Sequence, residues 1–340
     1  MLRILTSDYR LPTPDSRLRT THSRLPTTDS RLWTVFLSLL LISNSLLSQT
    51  DSNVTVNNKV ITLKEVVVRN NLNVPAFIDR VKDDTTFYKA FRNLKVLGYT
   101  ALNDIRMMSN KGVVKATLNS KTKQSVKDQC RWMEILEEKT SGDMYNRQHQ
   151  FNYYTAEMYA GLFFATDTIC GETNIVRGTE FNMKGKSGIA KHKEQLKILF
   201  FNPGKRIPGL PFIGSKIALF DEDVADLYDF VIDMESFKGD ICYVFKIIPR
   251  SDLTRGEKDK VVINEMTTWF NTTNWEIVAR NYDLSYRAGV YDFDVHMEVE
   301  MTRFEDLLVP KVLRYNGKWD VVLKKQEQGA FTATLFDFTK

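Results

Sequence analysis

The chain of 340 residues is 43% hydrophobic and 26% charged, an ordinary composition for a globular protein with a large core. Its formal net charge is +5, and residues 1–48 hold six arginines against three aspartates, a local charge of +3. The remainder is nearly neutral, which excludes the strongly basic surface that nucleic-acid binding requires.

A seven-residue repeat fills the start of the chain, with units that begin at Asp8, Asp15, His22 and Asp29. Each unit carries one leucine, which is too little apolar surface for a core or a coiled-coil seam. We interpret residues 1–32 as translated repetitive sequence ahead of the true start, with a disordered basic tail as the alternative.

A short apolar run follows the repeat, preceded by arginines and followed by small polar residues. It is short and serine-rich for a membrane span, so residues 33–48 predict a secretory signal peptide with cleavage near Ser48. An uncleaved anchor is the alternative. No later segment is apolar over the length of a bilayer, so no integral span is expected after cleavage.

The three cysteines, Cys130, Cys170 and Cys242, are far apart and show no metal-binding spacing. We expect three buried reduced thiols, and one disulfide with a leftover thiol is the alternative for an exported chain.

The first part of the mature chain mixes helices and strands. Residues 59–69 predict a strand rich in β-branched residues, and residues 73–97 predict a helical stretch with a candidate break at 83–86. Residues 99–108 and 113–118 predict a hairpin through Gly112. The polar residues 129–139 predict helical pieces inserted between parts of the sheet. Further helices are predicted at 153–165 and 191–201.

From residue 226 onward the signals are almost wholly those of β-strands. Short turns are expected at 238–240, at 271–274 and at Asn316-Gly317, because Asn-Gly between alternating runs is a strong hairpin signal. Seven or eight consecutive strands predict an up-and-down meander over 226–338. A sheet of that size must curl or be covered by helices.

The clearest strand runs from Val290 to Arg303, with strict alternation of apolar and polar residues. One face is therefore expected to be buried and the other wet. The apolar face begins with four residues that we take as candidate ligand-binding positions: Tyr291, Phe293, Val295 and Met297.

A loop at 202–214 combines three prolines and three glycines with apolar side chains. It predicts either a segment packed under the edge of the sheet or a lid over an apolar opening. In the second case, Leu210 and Phe212 would contact the ligand.

No pattern in the sequence indicates catalysis. The HExxH and G-x-S-x-G motifs are missing, and His296 is the one histidine placed beside carboxylates, Asp294 and Glu298, on the wet face of the strand. A metal or acid-base cluster there is conceivable, but a solvated polar face is the expected role. We therefore predict no catalytic, metal-binding or cofactor-binding residues.

Two stretches resemble known proteins. The hairpin at 261–286, with Thr-Thr-Trp-Phe-Asn-Thr-Thr-Asn-Trp-Glu-Ile-Val at 267–278, resembles periplasmic lipoprotein carriers of the LolA/LolB type. The mature chain, with the stretches 63–68, 74–81 and 201–204, is similar to uncharacterised exported envelope proteins of Bacteroidetes-type bacteria. These resemblances imply a Gram-negative envelope location and a curved antiparallel sheet with helices on its concave side.

The expected fold is therefore α+β, a single domain over 59–338 in which a large curved antiparallel β-meander, a half-barrel, has helices packed on one face. The predicted function is non-catalytic binding of a lipid, acyl chain or apolar peptide, in the periplasm or at the outer membrane. Its expected partners are a lipid or lipoprotein, or another envelope protein. A structural or interaction protein without a cavity is the alternative, and a hydrolase that uses carboxylates near His296 is a third hypothesis.

Overall fold

The structure is a computed structural model that describes residues 52–56, 59–63, 74–165, 167–176, 199–206, 213–287, 291–321 and 326–340. The predicted tail at 1–32 and the predicted signal peptide at 33–48 lie outside these ranges.

Strands dominate the described part of the chain. They are β1 (Ser52–Val56), β2 (Lys59–Leu63), β3 (Gly98–Met108), β4 (Val114–Lys127), β5 (Cys130–Ser141), β6 (Ile169–Cys170), β7 (Tyr228–Phe237), β8 (Asp240–Pro249), β9 (Ile263–Asn271), β10 (Ile277–Arg287), β11 (Tyr291–Phe304), β12 (Leu307–Val321) and β13 (Glu327–Thr339). The helices are α1 (Val74–Asp83), α2 (Thr86–Asn93), α3 (Tyr154–Phe163), α4 (Glu222–Ala225) and α5 (Arg255–Lys258), with a 3₁₀ turn at Leu94–Val96. Residues 199–201 are also helical.

Eleven strands form one curved, unclosed antiparallel sheet in the order β6-β5-β4-β3-β13-β12-β11-β10-β9-β8-β7. β1 and β2 form a separate two-stranded sheet. The predicted fold class, a large curved antiparallel sheet with helices, is confirmed. The neighbouring strands from β7 to β13 follow one another in the chain, as the predicted meander requires, and β13 then pairs with β3.

The two faces of the sheet differ in burial. The face that carries Phe293, Val295 and Met297 is covered and will be called the inner face; the opposite face will be called the outer face. Helix α3 packs on the inner face through Tyr159, whose ring lies 4.6 Å from that of Tyr315 and 5.3 Å from that of Phe331. These aromatic contacts bury the apolar side chains of the inner face, and such burial is the main source of stability in a sheet of this kind.

The helical prediction for residues 129–139 is wrong, because these residues form most of strand β5. The strand lies near one end of the sheet, and its residues from Glu134 to Ser141 are exposed or nearly so. With both faces wet, nothing selects apolar residues at alternate positions, so the period-two signal is missing. The preceding strand β4 also runs on to Lys127, well beyond the predicted end at 118.

The predicted turn at Asn316-Gly317 is also wrong, since both residues lie inside the continuous strand β12. A Cβ atom at position 317 would lie 1.9 Å from the hydroxyl oxygen of Tyr315, whose side chain folds over the glycine. Glycine is therefore required here for the close approach of an aromatic ring within a strand.

The expected state of the cysteines is corrected as well. Cys130 of β5 and Cys170 of β6 are direct partners in the antiparallel pairing and form a disulfide, and Cys242 is a buried free thiol. The alternative of one disulfide and one leftover thiol is therefore the state found. The partner of Cys130 is fixed by strand register, which the spacing of cysteines does not encode.

Candidate functional site

Strand β11 carries the candidate ligand-binding residues on the inner face, close to the middle of the sheet. Phe293, Val295 and Met297 are 4%, 0% and 3% exposed, so the predicted buried face is present in the structure. Of Tyr291 the structure describes only the backbone, and Leu210 and Phe212 lie outside the described residues. The proposed ligand-binding role of these six residues stays a prediction.

The neighbouring strands extend this apolar surface on both sides of β11. On β10 the direct partners of Met297, Val295 and Phe293 are Tyr282, Leu284 and Tyr286, and on β12 they are Tyr315, Gly317 and Trp319. The indole of Trp319 donates to the hydroxyl of Tyr315 at 2.6 Å, which satisfies its buried N–H. The inner face thus presents a continuous apolar area that is rich in aromatic rings.

A short helical segment at 199–201 lies directly on this area. The ring of Phe200 is 5.5 Å from that of Tyr315 and 6.3 Å from that of Trp319. The backbone carbonyl of Phe200 accepts a hydrogen bond from the Tyr282 hydroxyl, which also lies 2.8 Å from the Met297 sulfur. A single turn of helix is therefore fixed over the candidate residues by one aromatic side chain and one buried hydrogen bond.

The proline- and glycine-rich loop begins just after this segment, and both of its ends are held in the core. The amide of Leu219 donates to the carbonyl of Gly204 at 3.1 Å, and Ile213 and Ile217 are fully buried. Gly204 has a φ of +88°, and a Cβ there would lie 2.9 Å from the Leu219 side chain, so glycine is needed on both counts. The ends of the predicted lid are thus fixed inside the molecule.

One buried charge interrupts the apolar inner face, and the sequence analysis missed it. Arg280 of β10 is 7% exposed, and its Nε donates to the Thr268 hydroxyl at 2.9 Å. Its guanidinium carbon lies 4.4 Å from the centre of the Phe87 ring of α2. Burial lowers the pKa of Arg280, and the charge of Asp84 acts in the opposite direction.

The signal for this residue was present in the strand pattern. Arg280 lies on the inner face because it occupies every second position of β10 together with Tyr282, Leu284 and Tyr286. A charge at an inward position of a strand is costly to bury, so it indicates either an internal partner or a ligand.

Two further polar groups lie at the junction of α1 and α2, close to Arg280. The ammonium of Lys205 donates to the carbonyl of Lys82, and burial lowers the pKa of Lys205 although Asp83 and Asp84 raise it. One carboxylate oxygen of Asp84 accepts from the amide of Thr86 at 3.1 Å and from its hydroxyl at 2.6 Å. The other, Oδ2, is buried and has no hydrogen-bond partner among the described residues.

The outer face carries the histidine that the sequence placed beside carboxylates. His296 Nδ1 lies 2.6 Å from Asp283 of β10, and Nε2 lies 3.2 Å from Glu298. The chain of ion pairs continues through Arg314, which contacts Glu298 and Glu300 at 3.2 and 2.9 Å. Within the described residues no group of side chains is suited to hold a metal ion, and every helix there is too short or too polar to cross a bilayer.

Comparison with protein-family models finds no match, and comparison with curated proteins finds none either. Among solved structures, a DUF1329 family protein from Desulfovibrio piger is 10% identical, with a TM-score of 0.23 over 74% of this chain and 90% of that chain. A putative outer membrane lipoprotein-sorting protein domain from Vibrio parahaemolyticus is also 10% identical, with a TM-score of 0.25 over 78% of this chain and 89% of that chain. At this identity and these scores neither likeness carries an argument about function.

The structure forms the hairpin at 261–286 from β9 and β10, and its resemblance to periplasmic lipoprotein carriers stays a prediction. The similarity to Bacteroidetes-type envelope proteins stays a prediction.

Proposed function

We propose that the protein is an exported envelope protein that binds an acyl chain or another apolar ligand on the inner face of its curved sheet. The observation that carries the proposal is the continuous apolar area around Phe293, Val295 and Met297, on which the Phe200 ring lies 6.3 Å from that of Trp319. Ligand sites of this class are concave and mainly apolar, with few polar groups.

The disulfide bond supports the proposed location in the cell envelope. Cys130 and Cys170 form a disulfide, and such bonds persist mainly in oxidising compartments such as the bacterial periplasm. A periplasmic or outer-membrane-associated position would bring the inner face close to lipids and lipoproteins, which are the partners that the proposal implies.

In this proposal the ligand chain takes the place of Phe200. The phenyl ring is 1% exposed and fills the space between Tyr315 and Trp319, so its removal would leave an apolar cavity on the inner face. Such cavities stay dry and accept apolar molecules.

The test compares two matched substitutions in the full chain, which is first stripped of lipid. Hexadecanol binding would be measured by native mass spectrometry and by titration of tryptophan fluorescence. We expect the wild-type protein to bind one molecule and Phe200→Ala to bind it more tightly. The control is Phe237→Ala, which removes a phenyl ring from another place in the sheet, where the ring centres of Phe237 and Trp269 are 5.0 Å apart. This variant should bind hexadecanol as the wild type does. Absence of binding by both the wild type and Phe200→Ala would refute the proposal.

A second candidate function, that of an interaction protein, is favoured by one observation. Strand β5 pairs beyond its outer edge only at Cys130 and Arg131 among the described residues, and Ile135 and Leu136 are 61% and 47% exposed. An open strand edge with apolar side chains is a template for pairing with another chain. A second copy of the chain is the simplest partner for such an edge.

A further inference from the structure

The guanidinium of Arg280 is buried on an otherwise apolar surface and makes one hydrogen bond to the residues that the structure describes. An arginine side chain has five N–H donors. Within the described ranges Nε donates to Thr268, and no carboxylate there forms an ion pair with the group. Buried charges in proteins are normally paired, so the buried guanidinium of Arg280 indicates a site for an anionic partner.

A second cation stands beside it. Lys205 is partly buried, and its ammonium donates to the neutral carbonyl of Lys82 and forms no ion pair with a carboxylate in the part of the chain that the structure describes. The charge of Asp84 acts on both cations and that of Asp83 acts on Lys205, yet Asp84 Oδ2 is buried without a hydrogen-bond partner among the described residues. The charges of Arg280, Lys205 and Asp84 therefore act on one another, although no direct ion pair joins any two of the three.

We propose that Arg280 and Lys205 bind the anionic headgroup, a carboxylate or a phosphate, of an amphiphile whose apolar chain lies along the inner face. This inference rests on the proposed function and names the class of ligand. Arginine is suited to this role because its planar fork binds carboxylate and phosphate oxygens in a bidentate manner.

The position of Arg280 on β10 gives the ligand its direction. From Arg280 the strand continues through Tyr282 and Leu284 to Tyr286, which pairs with Phe293. Six residues of antiparallel strand span about 20 Å, so an apolar track of that length leads away from the charged site. The headgroup would lie near the α1 and α2 junction and the chain would run towards Phe293.

The experiment compares ligands that share a chain but differ in headgroup. Palmitate, hexadecyl phosphate and hexadecanol would be titrated against the full chain, stripped of lipid, by displacement of a fluorescent fatty acid. We expect the two anions to bind about tenfold to a hundredfold more tightly than hexadecanol, because a hydrogen bond to a charged group adds that much. Acetate and inorganic phosphate should bind weakly, since they lack the chain.

Arg280→Met should remove the preference for the anions, so that palmitate and hexadecyl phosphate bind about as tightly as hexadecanol does. The matched control is Arg106→Met, which removes an exposed arginine that is paired with Asp104, and it should keep the preference. Equal affinities for palmitate and hexadecanol in the wild type, or a preference that survives Arg280→Met, would overturn the inference while leaving the proposed function intact. Failure of all three ligands to bind would overturn both.

Asp84→Asn provides a second test that does not remove the buried arginine. If Asp84 competes with the ligand for Arg280, its neutralisation should raise the affinity for palmitate several-fold and leave that for hexadecanol unchanged. If the three groups are instead a closed internal ion cluster, Asp84→Asn should lower the stability and leave the affinity for palmitate as it was. The second result would contradict the proposal.

Discussion

Gly317 shows how a single glycine shapes the covered face of the sheet. The ring of Tyr315 lies across Gly317 and accepts a hydrogen bond from Trp319 through its hydroxyl. The cross-strand partner of Gly317 on β13 is Gly329. Gly317 leaves the space that the Tyr315 side chain occupies, whereas a Cβ at position 329 would meet Met107 at 3.3 Å and Thr155 at 3.4 Å. The Asn-Gly pair therefore serves side-chain packing, although by local rules it is a turn signal.

We expect Gly317→Ala to destabilise the protein by about 1 to 3 kcal/mol, because the added methyl group collides with the Tyr315 side chain. The measurement is urea unfolding at neutral pH. Gly256→Ala is the matched control, since a Cβ at position 256 meets no atom within 4 Å. That variant should be as stable as the wild type or slightly more stable, by up to about 1 kcal/mol. Equal stabilities of the two variants would contradict the packing argument.

The protonation of His296 makes the free energy of unfolding depend on pH. Burial lowers its pKa, but the hydrogen bonds with Asp283 and Glu298 outweigh this, so the pKa is raised above the ordinary value of 6.5. The folded state therefore holds the proton more tightly than the unfolded chain does. The stabilisation is fully present below pH 6.5 and is lost as the pH rises through the raised value.

The test for His296 compares the wild type with His296→Gln by urea unfolding at pH 5.5 and at pH 9. The wild type should be the more stable of the two at the lower pH, and the difference should shrink at the higher pH. Because the histidine side chain is 43% exposed, the effect should stay below about 1 kcal/mol. A difference that does not change with pH would show that the two hydrogen bonds do not govern the titration.

The disulfide ties a short strand to the edge of the sheet. β6 consists of Ile169 and Cys170, and the next residues bring Glu172 to Lys95 and to Arg131, the latter at 2.7 Å. Two residues of strand pairing are too few to hold a segment in place, so the covalent bond and the ion pairs share the task.

We expect Cys170→Ser to lower the free energy of unfolding by about 2 to 4 kcal/mol, where the upper figure is the loop-entropy value for cysteines 40 residues apart. Denaturant unfolding measures the change, and reducing agent should have the same effect on the wild type. Cys242→Ala is the control, because Cys242 is a free thiol and its variant should stay sensitive to reducing agent. If reduction leaves the wild type as stable as before, the bond does not contribute in this way.

The open edge of β5 offers a prediction about association. Ile135→Lys places a charge on the edge and should reduce self-association in sedimentation experiments, with a change in stability within about 0.5 kcal/mol. Leu102→Lys is the matched control, since Leu102 is 50% exposed but lies on β3, which is paired on both sides. If both variants reduce association equally, the edge has no special role.

How well the sequence predicted each strand depended on the environment of that strand. β11 was predicted from its alternation because one face meets the core and the other meets water. β5 was not, because it is wet on both faces, and the position of Arg280 was missed because a single charge hardly alters an alternating pattern. The disulfide depended on the pairing of β5 with β6, which is a long-range property.

At the level of the whole molecule, β13 joins two groups of strands. Its partners are β12 on one side and β3 on the other, so β3 to β6 and β7 to β12 belong to one sheet only through it. Ile105 and Phe331 are direct partners although 226 positions separate them in the chain. Contacts of this kind make folding slow, because a long segment must be ordered before they form.

Ala333→Pro should therefore be far more damaging than Glu137→Pro. Proline within a central strand removes a ladder hydrogen bond, whereas edge strands tolerate it better. Urea unfolding and near-ultraviolet circular dichroism measure the difference between the two variants. Similar losses in both would argue against a linking role for β13.

The place of β13 also sets the order in which the protein can be completed. It follows every other strand of the sheet in the chain, so the facing edges of β3 and β12 stay unpaired until the ribosome has made residues 327–339. Until then the growing chain cannot form the complete sheet, and its open strand edges can pair with other chains. If the protein is exported as proposed, we expect this late completion of the sheet to favour export before folding.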